Sequence, residues 1–408
     1  MLLAAALIMV ITGCNGGGGS DSDPIPPAAS LVKAITAFSL DGVDLTINEA
    51  GKTMAVSVPF GTDVTAMVAT FTTTGASVKV GSTVQISGTT ANDFTSPVVY
   101  TVTAADATTQ DYTVTVTVTG EGDKAWVSVA ASTEFSPRDS SPNAVLYYKN
   151  AFWILSGYRY TGIDYSTSSD VWYSINGRNW TLVNDNPPYY PYSVFVVFND
   201  YMWAIGSIDS YRSKDGLNWE RVEPGPYGPV RGTVFRDEIW ILDEGERVWS
   251  SEDGLAWTLI TDETPWPARY WPAWLSLNGR LWLFGGAVLD DLTNEDVYYN
   301  DVWASEDGKH WSLITSAAPW PGRYWSGYAA YDEKLWILGG YREDNSDNWG
   351  NFNDVWFSAD GVLWIKQTEV PWSPRHAMFV WVAEGSLWIS SGYSGGGDLH
   401  NDVWQLLP

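Results

Sequence analysis

One string, repeated, limits the folds open to this chain. SDVWYSINGRNW (169–180), SYRSKDGLNW (210–219), ERVWSSEDGLAW (246–257), NDVWASEDGKHW (300–311) and NDVWFSADGVLW (353–364) share an Asp or Asn before Gly and a closing Trp, and NDVWQLLP begins a sixth copy at 401. Each half reads as a strand. Asp-Gly is a strong signal for a two-residue type I′ hairpin. That turn would set Trp257 opposite Ser250 and Trp249 opposite Thr258, sending the two indoles to opposite faces. One indole would then pack against each neighbouring repeat.

A second strand precedes each copy: FWILSGY (152–158), MWAIGS (202–207), IWILDE (239–244), LWLFGG (281–286), LWILGG (335–340) and LWISSGY (387–393). Anchor tryptophans 38 to 54 residues apart in units of four strands predict an all-β, six-bladed β-propeller. Its last blade has a third strand without a fourth. Lys124-Ala125-Trp126-Val127-Ser128 reads as a fourth strand without a third, so the N-terminal strand is expected to close the ring and remove its open edges. All 25 tryptophans lie in residues 124–408, which form this domain.

The Gly285-Gly286 and Gly339-Gly340 pairs, followed by the separated aromatic and Trp, resemble kelch repeats, of the type seen in the central domain of galactose-oxidase-like proteins. The resemblance covers the whole of 124–408 and implies a kelch-type propeller. It weakens in blades two, three and six, where the Gly pair is altered. The S-x-D-G-x-x-W string is also similar to the sialidase Asp-box, one residue shorter, and an Asp-box is a structural hairpin.

Residues 31–120 use a different vocabulary. Period-2 runs such as MAVSVPF, TAMVATF, VVYTVTA and DYTVTVTV indicate an antiparallel β-sandwich. It resembles the immunoglobulin-like and cadherin-like modules of bacterial surface proteins, and a spacer role follows. Residues 15–30, NGGGGSDSDPIPPAAS, cannot bury enough surface to order themselves and read as a tether. The apolar run of residues 1–14 ends at Cys14, the single cysteine. It is too short to span a bilayer and has signal-peptide proportions. ITGC resembles a bacterial lipobox, which implies lipidation of Cys14, membrane attachment only through that lipid, and a location at the outer membrane or cell surface. No basic residue precedes Cys14, a departure from the family pattern.

A formal charge of −26 opposes binding to a phosphate backbone, so nucleic acid is not an expected partner. Strand positions account for 17 of the 25 tryptophans. Trp266, Trp271, Trp274, Trp320, Trp325, Trp349, Trp372 and Trp381 stay open to a functional reading. PWPARYW (265–271), PWPGRYW (319–325) and PWSPRHA (371–377) link one blade to the next, and such links crowd one face of a propeller. Arg138, Arg231, Arg269, Arg323 and Arg375 recur there. With Trp266, Trp320, Trp372, Tyr270, Tyr324, His376 and Trp349 they form a candidate pocket for an anionic or sugar ligand, by carboxylate pairing and ring stacking. The bland alternative makes each Arg a strut between blades. Acidic loops 287–299 and 341–352 carry Asp290, Asp291, Glu295, Asp296, Glu343, Asp344 and Asp347, oxygen ligands suited to Ca²⁺ but without the alternating spacing of a calcium loop; no cofactor is expected.

With three His and no nucleophile motif, the expected function is a monomeric, non-catalytic surface module that binds glycans or an envelope protein. The alternative is an extracytoplasmic carbohydrate-active enzyme, sialidase-like or sugar-epimerase-like, with His376 beside Arg375 as the proton-transfer group. Copper-radical oxidation, which the resemblance would allow, needs a Cys crosslinked to Tyr, and the lone Cys is spent in the signal region.

Overall fold

The computed structural model describes residues 30–40, 42–58, 62–118, 120, 124–139, 144–160, 165–288, 296–343, 350–395 and 398–407. Cys14, tether residues 15–29 and Trp349 lie outside them. The chain divides into two compact units after Val118.

In the first unit, a four-stranded and a five-stranded sheet share one core built around Phe38, Met54, Tyr100, Tyr112 and Val114. The alternation of DYTVTVTV puts Tyr112, Val114 and Val116 on the core side. The pairing differs from the expected all-antiparallel sandwich in one place. Thr53–Val58 runs parallel to Thr109–Val118, in the register Met54 to Val114. Period-2 patterning selects the buried face but carries no information on strand direction, so the sequence could not show this.

The described residues of the second unit form six antiparallel sheets of four strands. The first strands are Val145–Tyr148, Val194–Phe198, Pro229–Phe235, Ala273–Leu277, Gly327–Tyr331 and Phe379–Ala383. Each lies beside the first strands of the sheets before and after it, and Phe379–Ala383 lies beside Val145–Tyr148. The sixth sheet takes its fourth strand from the start of the unit: Trp126–Ala130 pairs with Val403–Leu406, Trp126 facing Leu406 and Ser128 facing Trp404.

The hairpin at the heart of the repeat is longer than expected. Trp249 faces Leu259 and Ser250 faces Thr258, with a bulge at Val248. Six residues, 252 to 257, therefore separate Ser251 from Thr258. Side chains hold this turn: Ser251 Oγ accepts from Gly254 N at 2.8 Å, and Asp253 Oδ1 accepts from Leu255 N and Ala256 N at 2.8 and 2.9 Å. The same bonds recur at Ser305/Asp307 and Ser358/Asp360. An Asp side chain that captures the two following amides removes the need for positive φ at Asp, and only the Gly (φ 76° at Gly254) is left-handed.

The division of labour among the tryptophans is also corrected. The second-strand set adds a wedge between sheets beside the fourth-strand set, of which Trp364 packs on Phe284 of the preceding sheet at 5.8 Å between ring centres. Trp153, Trp203, Trp240, Trp282, Trp336 and Trp388 are buried, and each donates its indole N–H to the backbone carbonyl five residues earlier. A Cβ on the turn glycine of the following sheet would collide with that ring, at 2.1 Å for Gly308 on Trp240 and 2.4 Å for Gly216 on Trp153. Gly177 of the first sheet stands in the same relation to Trp388 of the sixth. The third-strand tryptophans are only half-buried, and each gives its N–H to a carboxylate at the base of its own sheet, as Trp303 does to Asp301 at 2.7 Å.

Candidate functional site

The link arginines meet those same carboxylates. Arg138 forms two bonds with Asp170, at 2.7 and 3.1 Å, Arg269 two with Asp301, at 2.5 and 3.0 Å, and Arg375 two with Asp402, at 2.6 and 2.9 Å; Arg323 grips Asp354 in the same bidentate way. Arg269, Arg323 and Arg375 also donate to the carbonyls of Gly285, Gly339 and Ser391. The Gly pair now has a physical reason. A Cβ at Gly286, Gly340 or Gly392 would lie 3.1 to 3.2 Å from the Cδ of Arg269, Arg323 or Arg375, so the bare backbone lets the Arg stem pass. All four guanidiniums are buried and satisfied, and none of the four residues reaches the cavity described below.

Burial works to raise the carboxyls of Asp170, Asp354 and Asp402, but the bonds and charge of the paired Arg outweigh it and hold all three below the usual range. Trp266, Trp320 and Trp372 are buried too, packed edge-on against the fourth-strand tryptophans Trp311, Trp364 and Trp126 at 4.7, 5.6 and 6.1 Å between ring centres. They are framework.

A cavity of about 1120 Å³ opens where the first strands begin. Its wall includes Tyr158, Tyr189, Tyr190, Tyr192, Trp271, Tyr324, Trp325, Tyr328, Tyr341, His376 and Tyr393. Of the candidates from sequence, Arg231, Tyr324 and His376 line it; Tyr270 lies outside it, with an exposed ring.

One local device repeats around this wall. The residue after each pinned Arg bridges to the residue beyond the second strand: Asp139 to Tyr158, Tyr270 to Ala287, Tyr324 to Tyr341, His376 to Tyr393. The next residue in three of these links has positive φ, at 50° in Trp271, 52° in Trp325 and 50° in Ala377. Such a backbone is costly for a bulky side chain, and here it turns two indoles to the cavity. Trp271 stacks on Tyr324 at 5.6 Å and Trp325 on His376 at 5.1 Å, nearly parallel. At the opposite wall Tyr190 stacks on Tyr192 at 5.1 Å, and Tyr192 meets Tyr158 edge-on.

His376 is a poor proton shuttle. Burial lowers it to about 3, and its Nδ1 lies 2.6 Å from Asn351 Oδ1, so the ring stays neutral with Nε2 as acceptor. Asp139 is the unusual acid. Desolvation pushes it up to about 7 against a backbone hydrogen bond from Tyr158, and its Oδ1 has no partner. Nothing in the linear sequence marked Asp139, Tyr158, Tyr341 or Tyr393; the regular offset from the Arg and from the Gly pair was the available signal. Among the described residues no group of three or more His, Cys, Asp or Glu could hold a metal ion, and most of the acidic loop residues named above fall outside them.

Residues 35–116 match the family model described as "SGBP, N-terminal", a glycan-binding family. The chain is similar to alpha-scruin and beta-scruin of Limulus polyphemus, at 25% identity over 280 residues and 26% over 271, covering 63% and 61% of this chain. The chain spans about a quarter of the length of either scruin. A stretch of 150 residues is 29% identical to a flagellar outer-arm dynein alpha chain of Chlamydomonas reinhardtii, covering 35% of this chain and 3% of that one. Among solved structures, one titled "Structure of YjhT" superposes with a TM-score of 0.51 at 13% identity, over 68% of this chain and 96% of that one, a likeness of fold alone. These comparisons give an all-β chain whose first unit matches a glycan-binding family model and which has kelch-like relatives at low identity.

Proposed function

We propose that this protein is a lipid-anchored surface module that captures a glycan, without turning it over, in the cavity of a closed six-bladed kelch-type propeller. The observation that carries the reading is a cavity of about 1120 Å³ walled by stacked Trp and Tyr in a chain whose first unit matches a glycan-binding family. Flat aromatic faces suit the C–H faces of sugar rings, and tyrosine hydroxyls at the rim supply hydrogen bonds. Six four-stranded sheets with neighbouring first strands support the propeller. The first unit then serves as a spacer, and Cys14 as the site of lipidation.

A glycan array followed by calorimetry on the intact protein tests this. Trp325→Ala is expected to weaken binding at least tenfold, the order of one lost stacking contact, with an unchanged melting temperature. Full affinity in that variant, or an array with no bound glycan, refutes the cavity as the site. A bound glycan recovered cleaved or epimerised would instead favour the enzyme. Cys14→Ala is expected to release the protein from membranes, and retention after a salt wash would rule out the anchor.

A further inference from the structure

The third sheet breaks the pattern of the pinned arginines. Its basal carboxylate, Asp243, is taken by Arg247 Nε at 2.7 Å and Trp249 Nε1 at 2.9 Å. Arg231, expected in a link, lies within the first strand opposite Leu242. The same register position holds Val194 opposite Ile205, Ala273 opposite Phe284, Gly327 opposite Leu338 and Phe379 opposite Ser390. A guanidinium therefore replaces a small or apolar side chain at one level of the cavity wall.

Arg231 is 4% exposed. Nε donates to Pro272 O at 2.8 Å and Nη1 to Val230 O at 2.9 Å. Both acceptors are neutral carbonyls. Nη2 has no partner among the described residues, and Arg231 forms no ion pair with a described carboxylate. Nη2 is also absent from the fully enclosed unpaired atoms, so it keeps access to the cavity that Arg231 lines. Leaving a guanidinium desolvated and without an anion is costly, and a fork with spare N–H groups matches a carboxylate or sulfate. The same wall carries four acids, Asp139, Asp209, Glu244 and Glu343; Asp209 is engaged by Arg221, Asp139 is pushed up to about 7 by burial, and none of the four forms an ion pair with Arg231.

We infer that Arg231 is the anchor for a single oxyanion on the bound glycan, a sugar carboxylate or a sugar sulfate, with the rest of the saccharide against the aromatic wall. The inference rests on the glycan-binding reading and narrows it to acidic saccharides.

The test uses the intact protein and an array holding neutral, carboxylate-bearing and sulfated glycans, the acidic ones paired with carboxyl-reduced or desulfated counterparts, with calorimetry on the pairs. An acidic glycan is expected to bind at least about 30-fold more tightly than its neutral counterpart, the loss that follows when one partner of a buried charge pair is removed. Whether the carboxylate or the sulfate arm responds identifies the anion. Arg231→Gln is expected to abolish the preference, and Arg231→Lys to restore part of it. Should Arg231→Gln fail to fold, the paired glycans on the unaltered protein still decide. Equal affinity for acidic and neutral partners overturns the anion site and leaves the glycan reading intact. An array with no bound glycan overturns both.

Discussion

Arg323 and Asp354 show how one residue pair can fix a whole link. The guanidinium also holds the carbonyls of Pro321 and Gly339 and lies 3.9 Å from the centre of the Phe352 ring. Arg323→Met leaves Asp354 buried without its cation, so a loss of about 3–5 kcal/mol is expected, read as a fall in the urea midpoint. Two opposite pH dependences follow from the carboxyls. Asp170, Asp354 and Asp402 are held low in the folded state. Below about pH 4 the unfolded chain takes up protons that the folded one refuses, so their contribution is present above that pH and lost as pH falls. Asp139, raised to about 7, acts in the other direction. From about pH 4 to 7 the folded chain keeps a proton the unfolded chain has released, so stability declines across that window and levels off above it. Asp139→Asn should remove this slope in urea titrations run from pH 4 to 8, and an unaltered slope would exclude Asp139 as its source.

Within an element, the repeated turn shows where local pattern is sufficient. Ser, Asp, Gly and Trp at fixed offsets announced a hairpin and placed both strands. The turn type was misjudged because the Asp side chain competes with the backbone for the same amides, which Asp-Gly statistics for two-residue turns leave out. The turn glycine carries two separable constraints. Gly279 has φ 72° and nothing within 4 Å of a Cβ, whereas Gly308 has φ 73° and the Trp240 ring at 2.1 Å. Gly279→Ala should cost only about 1–2 kcal/mol for the left-handed backbone. Gly308→Ala should cost clearly more, because the wedge tryptophan must move. Equal melting temperatures for the two variants would contradict the packing of each turn on the preceding sheet.

For the whole molecule, the decisive contact joins residues 280 apart in sequence, Trp126 and Leu406. Trp126 also donates its indole N–H to Gln367 Oε1 at 3.0 Å and packs on Trp372, so this strand is tied to the fifth sheet as well as the sixth. Deleting residues 124–130 should expose the edge of Val403–Leu406, lower the melting temperature and promote self-association; a monomeric product of unchanged stability would show the strand to be dispensable. The unpaired half-repeats at 124 and 401 made this pairing legible in advance. The cavity was legible only in outline. Link segments and the loops after the second strands were expected to meet at one face, yet four of the five arginines chosen for it are pins. Of the aromatic residues that line the wall, Tyr324 and His376 were candidates and Trp271 and Trp325 stayed open to a functional reading, whereas Tyr158, Tyr341 and Tyr393 escaped notice because each sits just beyond the Gly letters of the repeat.

The sequence by itself determined most strands and the place of each hairpin, since these depend on hydrophobic alternation and on residue types spaced a few positions apart. Tertiary structure decided which arginine keeps a free face. That choice depends on whether a carboxylate farther along the chain reaches the guanidinium, as Asp301 reaches Arg269 across 32 residues, or is already occupied, as Asp243 is by Arg247. Charge neutralisation and desolvation act through space, and identical Arg letters in a repeat carry no record of either.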